Sequence, residues 1–156
     1  MGISPHIARL RAALGHELIV LPSVSVLPVD ASGRLLLAQV ANNASWHIIG
    51  GAVEPGESPA EAGMRECLEE IGVPVRLTRL LGAFGGPGYE VTYHNGDQVA
   101  YVTVAYTASI VSGVPVADGE ELARVGWLEP DALPSLPLGR FARSLLTDCG
   151  YLDAAT

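Results

Sequence analysis

Residues 51–73 read GAVEPGESPAEAGMRECLEEIGV, and the spacing of charge within them decides how the rest of the chain is read. Glu54, Glu57, Glu61, Glu66, Glu69 and Glu70 stand here against one cation, Arg65, and make up six of the 17 acidic residues of the whole sequence. Like charges three and four residues apart on a helix repel by about 0.2–0.5 kcal/mol per pair. Such a cluster is tolerated most readily when a cation neutralises it. An all-oxygen donor set suits a hard divalent ion, Mg2+ or Mn2+, better than zinc or copper.

The stretch predicts a helix from about Pro59 to Ile71. Ser58 is a good N-cap, Pro59 fits the first helical position and Glu61 completes a capping box. Gly72 supplies the left-handed residue that ends a helix. Glu66, Glu69 and Glu70 fall at i, i+3 and i+4, so they are expected to share one outward face, with Met64, Cys67, Leu68 and Ile71 buried on the other. Glu57 lies just before the helix. Gly50 and Gly51 precede it in an expected tight loop, where a bare backbone lends a carbonyl to a metal. On charge alone the run also fits a solvated helix face; Glu61 is read as a cap and Glu54 is left undecided.

Outward from this helix, Ser4-Pro5 with Ile7, Leu10 and Leu14 predicts an amphipathic N-terminal helix over about residues 4–15. It is expected to pack on the core, or to offer an apolar seam to a second copy in a homodimer. Strands are expected over Ser23 to Pro28 and Arg34 to Val40, joined by the turn at Asp30 to Gly33. A loop at Asn42 to Ser45 leads to a short strand from Trp46 to Ile49. Arg76 to Phe84 reads as extended, followed by a turn at Gly85 to Gly88. Glu90 to His94 and Gln98 to Val111 form a hairpin about Asn95-Gly96-Asp97. A strand over Arg124 to Leu128 and a helix over Leu138 to Cys149 close the chain. Strands broken by a central helix and closed by a terminal one imply a mixed sheet between helices in a single domain spanning residues 1–156.

Composition narrows the function classes. Apolar residues make up 49% of the sequence and charged ones 17%, which argues against disorder. A net charge of −8 argues against a nucleic-acid backbone as partner, since phosphodiester binding calls for a basic stripe. Cys67 and Cys149 make no disulfide framework, so a reducing cytoplasm is expected. No membrane span or signal peptide is read.

At residues 51–73 the sequence resembles the signature of the Nudix hydrolases. Gly51, Glu57, Arg65, Glu66, Glu69, Glu70 and Gly72 match its fixed positions, and Cys67 and Val73 its apolar ones. The family usually enters the motif through Pro-Gly-Gly, where this chain has Ile49-Gly50-Gly51. The resemblance extends thinly over about residues 20–150 and implies the Nudix α/β/α sandwich, with a mixed β-sheet and a catalytic loop–helix–loop. It also implies metal-dependent hydrolysis of a diphosphate bond in a nucleoside diphosphate linked to X. That class includes ADP-ribose, nucleotide sugars and nucleoside triphosphates, all small-molecule substrates. By resemblance, Glu66, Glu69 and Glu70 hold the metal, Glu57 acts on it through water, the Gly51 carbonyl is a direct ligand and Arg65 fixes the loop–helix geometry. Glu66 is the first choice as general base. Glu121, in an acidic loop six residues before Trp127, is the second, with Glu120 adjacent. The other class of answer is a non-catalytic nucleotide sensor.

Substrate signals are sparse. Trp46, Phe84, Tyr89, Tyr93 and Tyr101 either stack on a base or fill the core. His47 and His94 are read as structural or surface groups. Arg34, Arg76 and Arg79 are the basic residues in reach of a phosphate clamp, and Gln39-Val40 stands where many family members carry an Arg pair.

Overall fold

Leu35, Leu36, Leu37 and Ala38 are four consecutive residues with almost no exposure, which in extended backbone means that both faces of the strand are covered. The rest of the molecule supplies the two covers. The structure, a computed structural model, describes residues 4–42 and 44–154; Asn43 of the expected loop and both ends of the expected domain lie outside the described residues. In chain order the elements are α1 (Pro5–Leu14), β1 (Ile19–Pro28), β2 (Leu35–Val40), β3 (Trp46–His47), β4 (Ile49–Ala52) and α2 (Pro59–Ile71). They continue as β5 (Val75–Phe84), β6 (Glu90–Thr92), β7 (Gln98–Ile110), β8 (Leu122–Leu128) and α3 (Arg140–Asp148).

β1 runs parallel to β7 from Ile19↔Val99 to Pro28↔Ala108, and antiparallel to β4 with Val24 opposite Gly51. With β5 and β6 on β7 this makes a mixed sheet in the order β4-β1-β7-β5. β3, β2 and β8 form a second, antiparallel sheet. Period-2 alternation along β2 sends Leu36 and Ala38 into a core with Val24, Val26, Ile49 and the α2 residues Ala62, Cys67 and Ile71. Leu35 and Leu37 go to the other side, against Leu27, Trp46, Leu133 and Leu146 of α3. The result is the expected α/β/α sandwich.

Several expectations shift. β1 begins earlier than Ser23, because Ile19 and Leu21 bury against α1. Gly50 and Gly51 are not in a tight loop: they belong to β4 and pair with Ser25 and Val24. Gly50, at φ 149°, brings its α-carbon so close to the Val24 carbonyl that a Cβ would overlap it. A side chain there would push β4 off β1. The 85–88 turn closes into a short 3-10 turn over Pro87–Tyr89, held where the buried Tyr89 hydroxyl donates to Asp148 (2.6 Å). Ile7 and Leu10 pack on Ile19, Leu21 and Val99 of their own chain, leaving Leu14 43% exposed.

Because Leu37 has no exposure and Leu80 is 60% exposed, the two positions separate core packing from surface. Leu37→Ala is expected to cost about 2–5 kcal/mol in urea unfolding, whereas Leu80→Ala stays within about 0.5 kcal/mol.

Candidate active site

α2 forms for the reasons read from its sequence. The Ser58 side chain accepts from the Glu61 backbone N–H, the Glu61 side chain accepts from Ser58, and Gly72 closes the helix in the left-handed conformation. The face it buries is different. Ala62, Gly63, Glu66, Cys67 and Ile71 are buried, whereas Met64 is 42% and Leu68 56% exposed. Glu66 therefore points inward at 7% exposure, Glu70 is half-buried beside it, and Glu69 alone of the three faces outward. The expected outward trio of carboxylates is corrected on this point. Gly63 lies against Val24 and Val26, whose methyls would stand 3.0 and 3.2 Å from an added Cβ, so the helix sits close on β1.

Arg65 organises the acids. Its Nε donates to Glu57 (2.7 Å) and one terminal nitrogen to the other Glu57 oxygen (3.0 Å) and to the Ala52 carbonyl (3.1 Å). The remaining terminal nitrogen donates to Glu66 (2.8 Å) and Glu69 (3.1 Å). These contacts use all the N–H donors a guanidinium has. The Arg65 pair holds Glu57 below the usual carboxylate range. Burial raises Glu66 despite Arg65. Glu70 is pushed up to about 8, first by burial and then by the charge of Glu66, while the Gly50 N–H it accepts (3.2 Å) pulls the other way.

Gly51 faces this pair directly, and a Cβ on it would overlap the Glu66 carboxylate. Gly51, Arg65, Glu66, Glu70 and Glu121 line one cleft of about 570 Å3, together with Glu54. Glu57 and Glu69 stand behind it, joined through Arg65. The Glu121 position is set by Asp118, whose carboxylate accepts the backbone N–H groups of Glu120, Glu121 and Leu122 at 2.9–3.1 Å. Glu120 is exposed and does not line the cleft. Among the described residues, no three carboxylate, imidazole or thiol side chains converge into a ready-made ligand shell. The donor set nevertheless fits a hard divalent cation: every acid at the cleft is an oxygen ligand, and the charge of Glu66 adds to burial in raising Glu70.

A second cleft of about 680 Å3 continues from the same glycines. Ser25, His47, Tyr93, Tyr101, Arg140 and Phe141 line it, and it shares Gly50, Gly51, Tyr93 and Tyr101 with the first. Phe141 meets Tyr101 edge-on at 6.0 Å. Burial depresses His47, so its ring is neutral at pH 7. Trp46 and Tyr89 go to the core, as one of the two readings expected. The basic residues singled out from sequence, Arg34, Arg76 and Arg79, line neither cleft, and Gln39 is spent on Arg124. Sequence reading places Asp118 in the acidic loop with Glu120 and Glu121 without giving it a role, and passes over Arg140 and Phe141, neither of which belongs to a local pattern.

A profile of the NUDIX domain covers residues 20–149. The chain belongs to this family. A Bacillus subtilis (strain 168) protein named for 8-oxo-dGTP diphosphatase activity is 33% identical over 109 residues, 70% of this chain and 66% of the relative. The chain thus spans just under two thirds of that relative's length. Among solved structures, a MutT protein from Methanosarcina mazei Go1 superposes with a TM-score of 0.68 at 20% identity, covering 85% of this chain and 94% of the other. A UDP-X diphosphatase superposes at 0.65 with 22% identity, covering 96% of this chain and 71% of the other. Such distant superpositions show a shared Nudix fold. α1 lies outside the stretch that the family profile matches.

The elevated Glu70 has a thermodynamic consequence. Its native proton affinity, corresponding to about 8, exceeds the ordinary value of 4.5, so between those limits the native state binds the proton that the unfolded chain releases. Stability conferred by that proton is present at low pH and is lost as pH rises through about 8. With chelator present, the melting temperature is expected to fall from pH 6 to pH 9. Glu70→Gln flattens that slope, and Mg2+ restores stability most at the alkaline end.

Proposed function

We propose that the protein hydrolyses a diphosphate bond in a nucleoside diphosphate linked to X, with Mg2+ or Mn2+ as cofactor. The observation that carries this reading is the meeting of Glu66, Glu70 and Glu121 with the bare backbone of Gly51 on one cleft. A diphosphate resists hydrolysis because its anionic oxygens repel an attacking water. The acids of this cleft would hold a divalent cation, which when bound would neutralise those oxygens and lower the pKa of a water beside it.

Glu66, Glu69 and Glu70 would hold the cation, with the Gly51 carbonyl beside them and Glu57 acting through water. Glu69, which faces outward and bonds Arg65, would have to give up that contact to join them, while Arg65 keeps Glu57 and the Ala52 carbonyl as partners. Arg65 orients the acids rather than touching the reacting atoms. Glu66 is the proposed base: it lies buried at the cleft against Gly51, and burial raises its proton affinity above the ordinary carboxylate value. Glu121, presented to the same cleft by the Asp118 turn, is the second choice. ADP-ribose, nucleotide sugars and nucleoside triphosphates all contain the bond in question.

Incubation with Mg2+ or Mn2+ and a panel of these compounds tests the proposal. Turnover of at least one is expected, abolished by chelator. Glu66→Gln is expected to lower kcat by about 10²–10⁴-fold. Unchanged turnover in both Glu66→Gln and Glu70→Gln would remove the acidic cleft from the chemistry. A fall with Glu121→Gln at unchanged metal affinity would move the base to that residue.

A further inference from the structure

The apolar seam expected on α1 is spent on its own chain, and the opposite face of the same sheet is the one left bare. Ile7 and Leu10 pack on Ile19, Leu21, Val99 and Tyr101, the odd-numbered positions at this end of β1 and β7. Arg11, with 10% side-chain exposure, fixes the helix there. It donates to the carbonyls of Gly15 (3.1 Å), Glu17 (2.7 Å) and Gln98 (2.7 Å) and lies 3.5 Å from the Asp97 carboxylate. The even-numbered positions point to the other side of the sheet. In the β1–β7 register Val20 pairs with Ala100, Pro22 with Val102 and Val24 with Val104, so these side chains share one face. β5 adds Ala83, opposite Val104.

Coverage of that face stops abruptly. Val24 is 2% exposed beneath α2, where Gly63 lies against it, whereas Val20 is 68% and Val102 47% exposed. Pro22 and Ala83 are exposed as well, and Ala100 and Val104 are half-buried. Among the described residues no helix covers this end of the face, and none of these side chains carries a charge or a hydrogen-bonding group. Exposed positions of other strands do carry them: Arg76 and Arg79 on β5, Arg124 on β8. Polar groups return at the rim, with Glu90 opposite Ala100 and Thr92 opposite Gln98 on β6. An apolar centre with a polar rim is the anatomy of a protein–protein contact.

The chemistry of the face selects its occupant. It offers a charged partner nothing to pair with, but it is complementary to itself. Two chains of net charge −8 repel each other, and their approach is least opposed through surface that bears no charge. Seven residues of β7 at about 3.3 Å rise and three strands about 4.8 Å apart make the face roughly 20 by 15 Å. That is on the scale of the few hundred Å2 that marks an interaction patch on a soluble protein. Sheet faces stack in near-aligned pairs about 10 Å apart, and a two-fold axis through the patch sets it against its own copy. The apolar part alone falls below the roughly 800 Å2 per partner of a standard interface, a size suited to reversible association.

We propose that the bare face of β1 and β7 is a homodimer contact, in which the patch about Val20 and Val102 packs on the same patch of a second copy. The expected dissociation constant is on the order of 1–100 μM. The contact lies outside both clefts and does not depend on the hydrolase reading.

Sedimentation velocity of the full chain at about 1–300 μM tests the proposal. The weight-average mass is expected to rise from one chain toward two over that range. The rise comes at lower concentration in about 500 mM NaCl than in 50 mM, because salt screens the repulsion between copies and leaves the apolar contact intact. Val20→Glu and Val102→Glu are each expected to weaken the dimer by at least about 10-fold, since each sets a charge against apolar surface. Val102→Thr, uncharged and of similar shape, is expected to weaken it by about 3-fold, and it serves if circular dichroism shows the glutamate variant unfolded. Val114→Glu, at a 79% exposed position in the loop before Asp118, leaves the mass unchanged. A chain that stays monomeric to 300 μM would overturn the proposal. So would a dimer unmoved by the patch variants, or one that weakens as salt is added. Binding of the monomer to phosphatidylcholine vesicles, lost in Val102→Glu, would also overturn it and assign the face to a membrane.

Discussion

The five N–H groups of Arg65 are the constraint on which the site depends. One guanidinium holds Glu57, Glu66, Glu69 and the end of β4 together, so the segment before α2, the helix and the strand edge share a single fixed reference. A lysine has three donors radiating from a point and no planar fork, so it has no means of making this set of contacts. Positive charge is short here. Arg65 covers three carboxylates, while Glu70 has among the described residues a backbone N–H, and the residual negative potential is what the proposed cation would neutralise.

The glycines of β4 serve this constraint. Gly50 lets β4 lie flat against the Val24 carbonyl, and Gly51 leaves a void that the Glu66 carboxylate enters. Gly63 does the same on the helix side against Val24 and Val26. Three missing side chains thus bring α2, β1 and β4 close enough for a carboxylate to be buried and still lie beside bare backbone. Burial has an energetic cost for an ionised group, and it is offset here by Arg65 for Glu66. Packing and chemistry are set by the same close approach.

That close approach also explains where sequence reading succeeded and failed. Local signals were legible: the Ser58 capping box, the Gly72 stop, the turn at Asn95-Gly96-Asp97 and the fixed spacing of the acids all occur as read. The helix face was misassigned because hydrophobic periodicity treats carboxylates as solvent-seeking, whereas Glu66 and Glu70 are drawn inward to the site and Met64 and Leu68 are left outside. β1 was read too short and Gly50-Gly51 as a loop because their pairing partners are distant in sequence, and no local propensity reports a partner. Asp118 is legible as part of the acidic loop but its role in presenting Glu121 is not, since that role lies in three backbone N–H contacts rather than in a motif.

The distribution of the site over the chain has a further implication. The carboxylates of the cleft and the glycines facing them lie between β1 and β8, within the stretch matched by the NUDIX family profile. The walls on either side are α1, outside that stretch, and the N-terminal end of α3 with Arg140 and Phe141, within it. α1 contributes little to the central core, since none of its residues is fully buried and its contacts are with one small apolar cluster. A helix so lightly seated would add little to stability on packing alone, yet it carries an almost fully covered arginine tied to four partners. Ordering a long side chain costs about 1.5–2 kcal/mol of conformational entropy, and that cost is met here to hold a surface turn in register with the helix. The effect is to tie the outer wall of the acidic cleft to the 93–97 turn and the start of β7.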